Sequence, residues 1–220
     1  MYVFYMYVDC TIDEPKDIVF VIDSSYFIGS YQFQMIRELV DNITISLKLN
    51  SPDSSVAVIL FDYIARIHFN LEAHTSLSTL SPAINPGLPY YYGYGRDTAA
   101  ALRLLLSSAE NGSLGIRNET SNIAIVITGG QSNSRYSTQS AAAALHAANI
   151  FDVYAIGYGS ADINELNTIA SDPSFVYFTN FYNRYDIEEM RLNVTDQLCS
   201  CKDHNMLIRD YHTISKNFHP

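Results

Sequence analysis

The segment that most constrains the fold is an apolar run that ends in a carboxylate and two hydroxyls, Asp17-Ile18-Val19-Phe20-Val21-Ile22-Asp23-Ser24-Ser25. A continuous run rich in Val and Ile is typical of a strand covered on both faces, because neither face can be left in water. Oxygen-bearing side chains directly after such a strand would lie at the carboxyl edge of a parallel sheet, where open α/β folds place their ligand sites. The segment therefore predicts a buried parallel strand with a candidate site at its end.

Apolar runs alternate with amphipathic patterns along the rest of the chain. Strands are predicted at residues 56–61, 65–69, 123–128, 151–156 and 175–178. Helices are predicted at about 30–48, 75–81, 137–148, 162–170 and 186–198, and around Leu102, Leu105 and Leu106. This alternation predicts an α/β fold with a doubly wound, Rossmann-like, mostly parallel sheet and helices on both faces. The inside-outside alternation of residues 65–69 predicts one antiparallel edge strand.

The predicted elements fill one domain, residues 16–199, with a lead-in segment at 1–15 and a polar tail or linker at 200–220. The three cysteines lie at the two ends of this domain, and they are Cys10, Cys199 and Cys201. A disulfide between the ends is natural, because chain termini are often close together, and the odd cysteine would then bond to another chain or to a missing domain. Three free thiols in a cytosolic protein are the alternative. A processed domain, a fragment and part of a larger multidomain chain are all compatible with this organisation.

The charge of the chain argues against two classes of partner. A formal net charge of −10, from 13 basic and 23 acidic residues, leaves no basic patch, so we expect no binding to nucleic acid or to an anionic membrane. No apolar run reaches the roughly 18 residues that a membrane span needs. Four glycosylation sequons favour a secreted, extracellular glycoprotein, and their asparagines are Asn42, Asn111, Asn118 and Asn193.

The order of the elements resembles the von Willebrand factor type A family over about residues 16–199. The resemblance is carried by Asp23-Ser24-Ser25 after the first strand, by Val153-Tyr154-Ala155-Ile156-Gly157-Tyr158-Gly159, and by the segment from Glu165 to Pro173. It implies that the carboxyl edge of the sheet carries a metal-ion-dependent adhesion site for Mg²⁺ or another divalent ion.

Several ligand positions that the resemblance implies lack an oxygen ligand. In the D-x-S-x-S motif Asp23 and Ser25 match, but Phe27 replaces the second serine. Arg96 stands at the position of the motif's threonine, and Gly129 at that of its final aspartate. Because Mg²⁺ requires nearly octahedral oxygen coordination, we expect no cofactor, with Mg²⁺ binding as the alternative. We expect the Arg96 guanidinium to take the place of the ion and pair with Asp23.

A tyrosine-rich loop, Tyr90-Tyr91-Tyr92-Gly93-Tyr94-Gly95, precedes Arg96, and the family resemblance places it on the same edge as Asp23. Tyrosine offers a large, rigid contact surface with a hydrogen-bonding tip at little entropic cost, and glycine lets a loop adapt. We therefore predict partner contacts by Tyr90, Tyr91, Tyr92, Tyr94 and Arg96. The alternative is that these rings only cover an irregular segment.

A hydrolase is the enzymatic alternative. Residues 130–134 follow a strand and precede a helix, as a nucleophile elbow does, but Ser134 replaces the closing glycine of G-x-S-x-G. Ser132 would be the nucleophile, with His146 or His204 as its base. Loop hydroxyls that cap the next helix explain the segment equally well.

These observations predict a non-enzymatic, secreted binding or adhesion module that recognises a protein or glycan partner through the loops at the carboxyl edge of the sheet, without a metal. The partner would belong to the extracellular matrix or to a cell surface. A metal-dependent adhesion domain with an incomplete site and a structural spacer in a multidomain secreted protein are the alternatives.

Overall fold

The computed structural model describes residues 15–47, 54–117, 119–179 and 184–198. Its six strands are β1 (Lys16–Asp23), β2 (Ser55–Phe61), β3 (Ala65–Phe69), β4 (Ser121–Gly130), β5 (Asp152–Ser160) and β6 (Val176–Thr179). They form one sheet in the order β3-β2-β1-β4-β5-β6, in which β3 is antiparallel and the other strands are parallel. The predicted doubly wound sheet with one antiparallel edge strand is confirmed.

Six helices flank the sheet, and their order also matches the prediction. They are α1 (Ser30–Ser46), α2 (Leu77–Ile84), α3 (Thr98–Glu110), α4 (Arg135–Ala148), α5 (Ile163–Ile169) and α6 (Arg184–Leu198). The second helix runs three residues past its predicted end at residue 81 and contains Pro82, because Leu80 and Ile84 are both buried in the core. Packing therefore outweighs the interruption by proline.

β1 lies at the centre of the sheet and serves both cores. On one face Ile18, Phe20 and Ile22 pack in the cluster that also contains the apolar sides of α1 and α6. On the other face Val19 and Val21 pack in the cluster that contains α3 and α4. All five side chains are fully buried, which is why the segment carries no polar residue between its two aspartates.

The two ends of β1 define an upper and a lower edge of the molecule. The upper edge contains the carboxyl ends of the parallel strands, the turn between β2 and β3, and the starts of α1, α3 and α4. The lower edge contains the ends of these helices, and α6 approaches it too, because Arg191 donates to Oγ of Ser46, the last residue of α1 (2.8 Å). The terminal segments with Cys10, Cys199 and Cys201 lie outside the described residues, so the disulfide and the domain boundaries stay predictions.

Candidate functional site

Asp23 is the centre of the upper edge. Its carboxylate is fully buried at the end of β1 and accepts hydrogen bonds from groups on both sides of the strand. Oδ1 accepts from the backbone N–H of Ser25 (2.9 Å), and Oδ2 accepts from Oγ1 of Thr128 (3.2 Å) and from the N–H of Gly129 (3.4 Å). Nε of Arg96 pairs with Oδ2, which is the ion pair expected from the sequence.

Arg96 is held rigidly in this position. Its backbone N–H donates to Oδ1 of Asn133 (2.9 Å), and its carbonyl accepts from the N–H of Asn133 (2.8 Å). One guanidinium nitrogen, Nη1, donates to the carbonyl of Gln131 (3.3 Å), and Cζ lies 5.6 Å from the ring centroid of Phe27. Because Arg96 is only 8 % exposed, it supports the loops from inside and offers a partner little contact surface.

Side chains occupy the space beside Gly129 and Gly130, next to Asp23. A Cβ on Gly129 would lie 2.6 Å from Cζ of Tyr158, and a Cβ on Gly130 would overlap the guanidinium of Arg96. Burial raises the pKa of Tyr158 well above its usual value, and the nearby Asp23 raises it further, so the phenol stays neutral. Tyr158 therefore fills the place from which a side chain at position 129 would reach the site.

Tyr90 anchors the tyrosine-rich loop to the body of the protein. Its ring stacks on Phe33 with 4.9 Å between centroids, and its hydroxyl accepts from the N–H of Gly29 (2.9 Å). The same hydroxyl lies 3.1 Å from the carbonyl oxygen of Ser25, to which it can donate. Burial raises the pKa of Tyr90, which keeps the hydroxyl protonated and able to donate. Tyr90 therefore supports the loop. Of the tyrosines predicted to contact a partner, this leaves Tyr91, Tyr92 and Tyr94.

The other tyrosines of the loop point outward. Tyr94 is 74 % exposed and stacks on Tyr26, with 4.8 Å between ring centroids. Tyr91 lies under the guanidinium of Arg66, whose Cζ is 4.7 Å from the ring centroid. The ring of Tyr92 packs on that of Tyr90, with 3.9 Å between centroids. The prediction from sequence missed Tyr26 and Phe27 as exposed rings of this edge, although two aromatic residues directly after the Asp23-Ser24-Ser25 turn were the available signal.

The turn between β2 and β3 fixes the backbone of the tyrosine-rich loop. Asp62 is almost fully buried, and its Oδ1 accepts from the N–H of Ile64 (2.7 Å) and from Nη1 of Arg66 (3.3 Å). Its carbonyl accepts from the N–H of Asp97 (2.7 Å). A Cβ on Gly93 would collide with the Asp62 carboxylate, so glycine is required where the loop crosses the turn. The exposed rings therefore stand on a loop with fixed backbone contacts.

Comparison with known proteins agrees with this arrangement of sheet and site. The family model of the von Willebrand factor type A domain matches residues 17–192. The chain belongs to the von Willebrand factor type A (vWA) domain family. Two relatives are collagen alpha-1(XII) chain of Notophthalmus viridescens, 29 % identical over 192 residues, and matrilin-3 of Homo sapiens, 28 % identical over 191 residues. The matches cover 87 % and 84 % of this chain but only 20 % and 38 % of these relatives.

Solved vWA structures have the same fold. Proximal thread matrix protein 1 from the mussel byssus superposes with a TM-score of 0.78 at 23 % identity, over 87 % of this chain and 48 % of that protein. A second structure of the same protein, with a zinc-occupied metal-ion-dependent adhesion site, gives a TM-score of 0.71 at 25 % identity, over 89 % of this chain and 48 % of that one. Within the described ranges of the present vWA domain, no three His, Cys, Asp or Glu side chains form a group that could hold a metal ion.

The hydrolase residues do not come together in the vWA domain. Oγ of Ser132 accepts from Oγ1 of Thr138 (2.9 Å), and its N–H donates to both carboxylate oxygens of Glu165 (3.2 Å each). His146 lies in the last turn of α4, toward the lower edge, where Nε2 donates to the carbonyl of Ile169 (3.0 Å). His204 lies outside the described residues. Ser132 therefore holds the loop before α4 in place by hydrogen bonds. His146 is not placed to act as a general base for it.

The sequons differ in their surroundings. Asn111 and Asn193 are exposed, whereas Asn42 is half-buried. Asn118 lies outside the described residues.

None of the helices in the described ranges has the length and apolar character that crossing a lipid bilayer requires.

Proposed function

We propose that this vWA domain is a non-enzymatic extracellular binding module, part of a larger multidomain chain, that recognises a protein partner through its upper edge without a divalent ion. The observation that carries the proposal is a set of exposed rings around the buried Asp23–Arg96 ion pair. We call this set the upper aromatic surface, and it consists of Tyr26, Phe27, Tyr91, Tyr92 and Tyr94.

The chemistry of the upper aromatic surface favours a protein partner over a glycan. Exposed aromatic side chains bury much apolar area at low entropic cost and dominate the energetics of protein interfaces. The carboxylates of Asp23 and Asp62, which could bind the hydroxyls of a sugar, are buried and paired with arginines. Because the backbone contacts of the loop are already formed, little ordering is needed on binding.

The residues around Asp23 do not fit the divalent ion of the family. Mg²⁺ needs nearly octahedral oxygen coordination. Two of the replaced ligand positions, Phe27 and Gly129, supply no side-chain oxygen. The guanidinium of Arg96 neutralises Asp23 and holds a permanent positive charge beside it. We infer that Arg96 fixes the loops in this domain by hydrogen bonds to Asp23 and to the loop before α4, and by its contact with the ring of Phe27.

A metal-dependent module is the second candidate, and one observation favours it. Among the described residues, Oγ of Ser25 and Oγ1 of Thr98 are buried without a hydrogen-bond partner. Such groups could accept a water or an ion. Thermal unfolding in millimolar Mg²⁺ or Mn²⁺ and in EDTA separates the candidates, because an ion that binds only the folded state must raise the midpoint. We expect equal midpoints, and a higher midpoint with metal would overturn the metal-free proposal.

The extracellular location is supported by the relatives, since collagen XII and matrilins are proteins of the extracellular matrix. We therefore use an immobilised extracellular-matrix preparation as the probe. Phe27→Ala and Tyr94→Ala should each weaken binding at least about tenfold, as truncation of a central aromatic contact does. EDTA should leave binding unchanged.

The matched controls are Ile45→Ala and Leu192→Ala, which truncate exposed apolar side chains toward the lower edge. Both variants should bind as the wild-type domain does. Equal losses in the control and upper-edge variants would show that the upper aromatic surface is not the binding site. Loss of binding in EDTA would support the metal-dependent candidate.

A further inference from the structure

The three described sequons are all distant from the upper aromatic surface. Asn111 directly follows α3, whose first residue lies at the upper edge. Asn42 is in the second half of α1, and Asn193 lies two residues beyond Arg191, which contacts the last residue of α1. The sequence spreads these asparagines over most of the chain, and the fold gathers them in the lower half of the molecule.

Asn111 has the geometry of an accessible acceptor. It is exposed at the end of α3, and its Oδ1 accepts from the N–H of Ser113 (2.9 Å), which forms an Asx turn. Gly112 has φ of +78°, and a Cβ added there would meet nothing within 4 Å. The turn is closed by buried Leu114, whose carbonyl accepts from the N–H of Leu71 (3.1 Å). The oxygen of the Asn111 amide makes the turn, so the turn does not use the amide nitrogen to which a glycan would be attached.

Asn193 is exposed on α6, while the two residues that follow it face the interior. Val194 is fully buried, and Oγ1 of Thr195 donates to the carbonyl of Arg191 (2.8 Å). A group attached to Asn193 would therefore extend into solvent without displacing the contacts between α6 and the core.

Asn42 differs from both. It is half-buried, and the threonine of its sequon, Thr44, is fully buried and donates to the carbonyl of Val40 (2.8 Å). The Asn42 side chain borders a cavity of about 410 Å³ between α1, α6 and the end of α2, and the other lining residues are Glu38, Asn85, Arg184, Ile187 and Glu188. A branched glycan on Asn42 would have to displace these charged and polar side chains.

We propose that Asn111 and Asn193 carry N-linked glycans in the folded protein and that Asn42 does not. In the transfer, the bond from C1 of the donor sugar to a lipid diphosphate breaks and a bond from C1 to Nδ2 of asparagine forms. The lipid diphosphate leaves, and the amide nitrogen loses one proton. The inference rests on the extracellular location in the proposed function, and it means that glycans cover the lower half while the upper aromatic surface stays open.

The test is secretion of the chain from eukaryotic cells behind a heterologous signal sequence, in an Asn118→Gln background that removes the neighbouring sequon. The signal forces entry into the secretory pathway, so failure of glycosylation is distinguishable from failure of the natural location. Site-resolved mass spectrometry after treatment with peptide N-glycosidase should find modification at Asn111 and Asn193 and none at Asn42.

Matched variants assign each glycan. Ser113→Ala should remove one glycan while Asn111 remains, Ser113→Thr should keep it, and Asn193→Gln should remove the other. Asn42→Gln should leave the total mass of the attached glycans unchanged. An unmodified Asn111 or Asn193, or a modified Asn42, would overturn the proposal.

Discussion

The two ends of β1 carry the same chemical pair in different settings. Asp17 near its start and Asp23 at its end are both fully buried, and each carboxylate faces an arginine from a distant loop. At the lower edge the arginine is Arg117, whose side chain is 37 % exposed, and at the upper edge it is Arg96, whose side chain is 9 % exposed. Water therefore reaches the lower pair far more easily than the upper pair.

The donors to each carboxylate also differ in origin. Asp17 is bound from one short segment, by the N–H and Nε of Arg117 (3.0 and 2.9 Å) and by Oγ1 of Thr120 (3.1 Å). Asp23 is bound from the turn after β1, from the end of β4 and from the loop before α3. The lower pair clamps one loop against the sheet, whereas the upper pair ties together the loops that carry the exposed rings. Chemically equal pairs thus serve a local contact at one edge and a binding surface at the other.

Removal of Arg96 should give the largest effect. Arg96→Met leaves the Asp23 carboxylate buried and unpaired, which costs about 3–5 kcal/mol of the free energy of unfolding. Arg117→Met should cost clearly less, because the side chain of Arg117 is 37 % exposed and water can enter the space that it leaves beside Asp17. Urea unfolding of both variants measures the difference. Equal losses would refute the contrast between the two edges, and Asp23→Asn combined with Arg96→Met should recover part of the lost stability.

Glycine substitutions should give the next largest difference. Gly129→Ala places a methyl group against the buried ring of Tyr158 and should lower the free energy of unfolding by about 3 kcal/mol. Gly112→Ala at the lower edge has free space and meets only the strain of its positive φ, about 1 kcal/mol. Thermal unfolding compares them, and a Gly129→Ala variant as stable as the wild type would mean that Tyr158 does not fill this space.

Hydroxyl removal separates support from surface within the tyrosine loop. Tyr90→Phe loses the hydrogen bond from Gly29 and should lower the free energy of unfolding by about 1 kcal/mol. Tyr94→Phe removes an exposed hydroxyl and should stay within about 0.5 kcal/mol of the wild type. The same unfolding measurement applies, and a reversed order would contradict the roles assigned to these two tyrosines.

The smallest effect should be the part of the pH dependence of stability that comes from His68, on the edge strand β3. Partial burial and the nearby His74 lower the pKa of His68, so the unfolded chain binds its proton more readily than the folded protein does. This contribution to stability is present above the unfolded pKa of about 6.5 and is lost as the pH falls through the lowered pKa. His68→Gln should flatten the dependence of the unfolding midpoint on pH below about 6.5. An unchanged slope would exclude His68 as its source.

The sequence allowed most of the fold to be predicted, because strands and helices leave local periodic patterns. The apolar run of β1 and the amphipathic pattern at about residues 30–48 predicted the central strand and α1 within a few residues. The exposure of Tyr94 and the burial of Tyr90 could not be predicted, since two tyrosines in one loop have the same local pattern. Their roles depend on Phe33 and Tyr26, which are distant in sequence and which the fold brings into ring contact with Tyr90 and Tyr94 respectively.

The sequence by itself determined the order of elements, the family, and the absence of side-chain oxygens at Phe27 and Gly129, because these depend on residue type and spacing alone. Only the tertiary structure decided what fills the space beside Asp23. The parallel pairing of β4 with β5 brings Tyr158 next to Gly129, and the fold of the loop before α3 buries Arg96 against β1. Such neighbours are set by sheet register and packing, which no local pattern records.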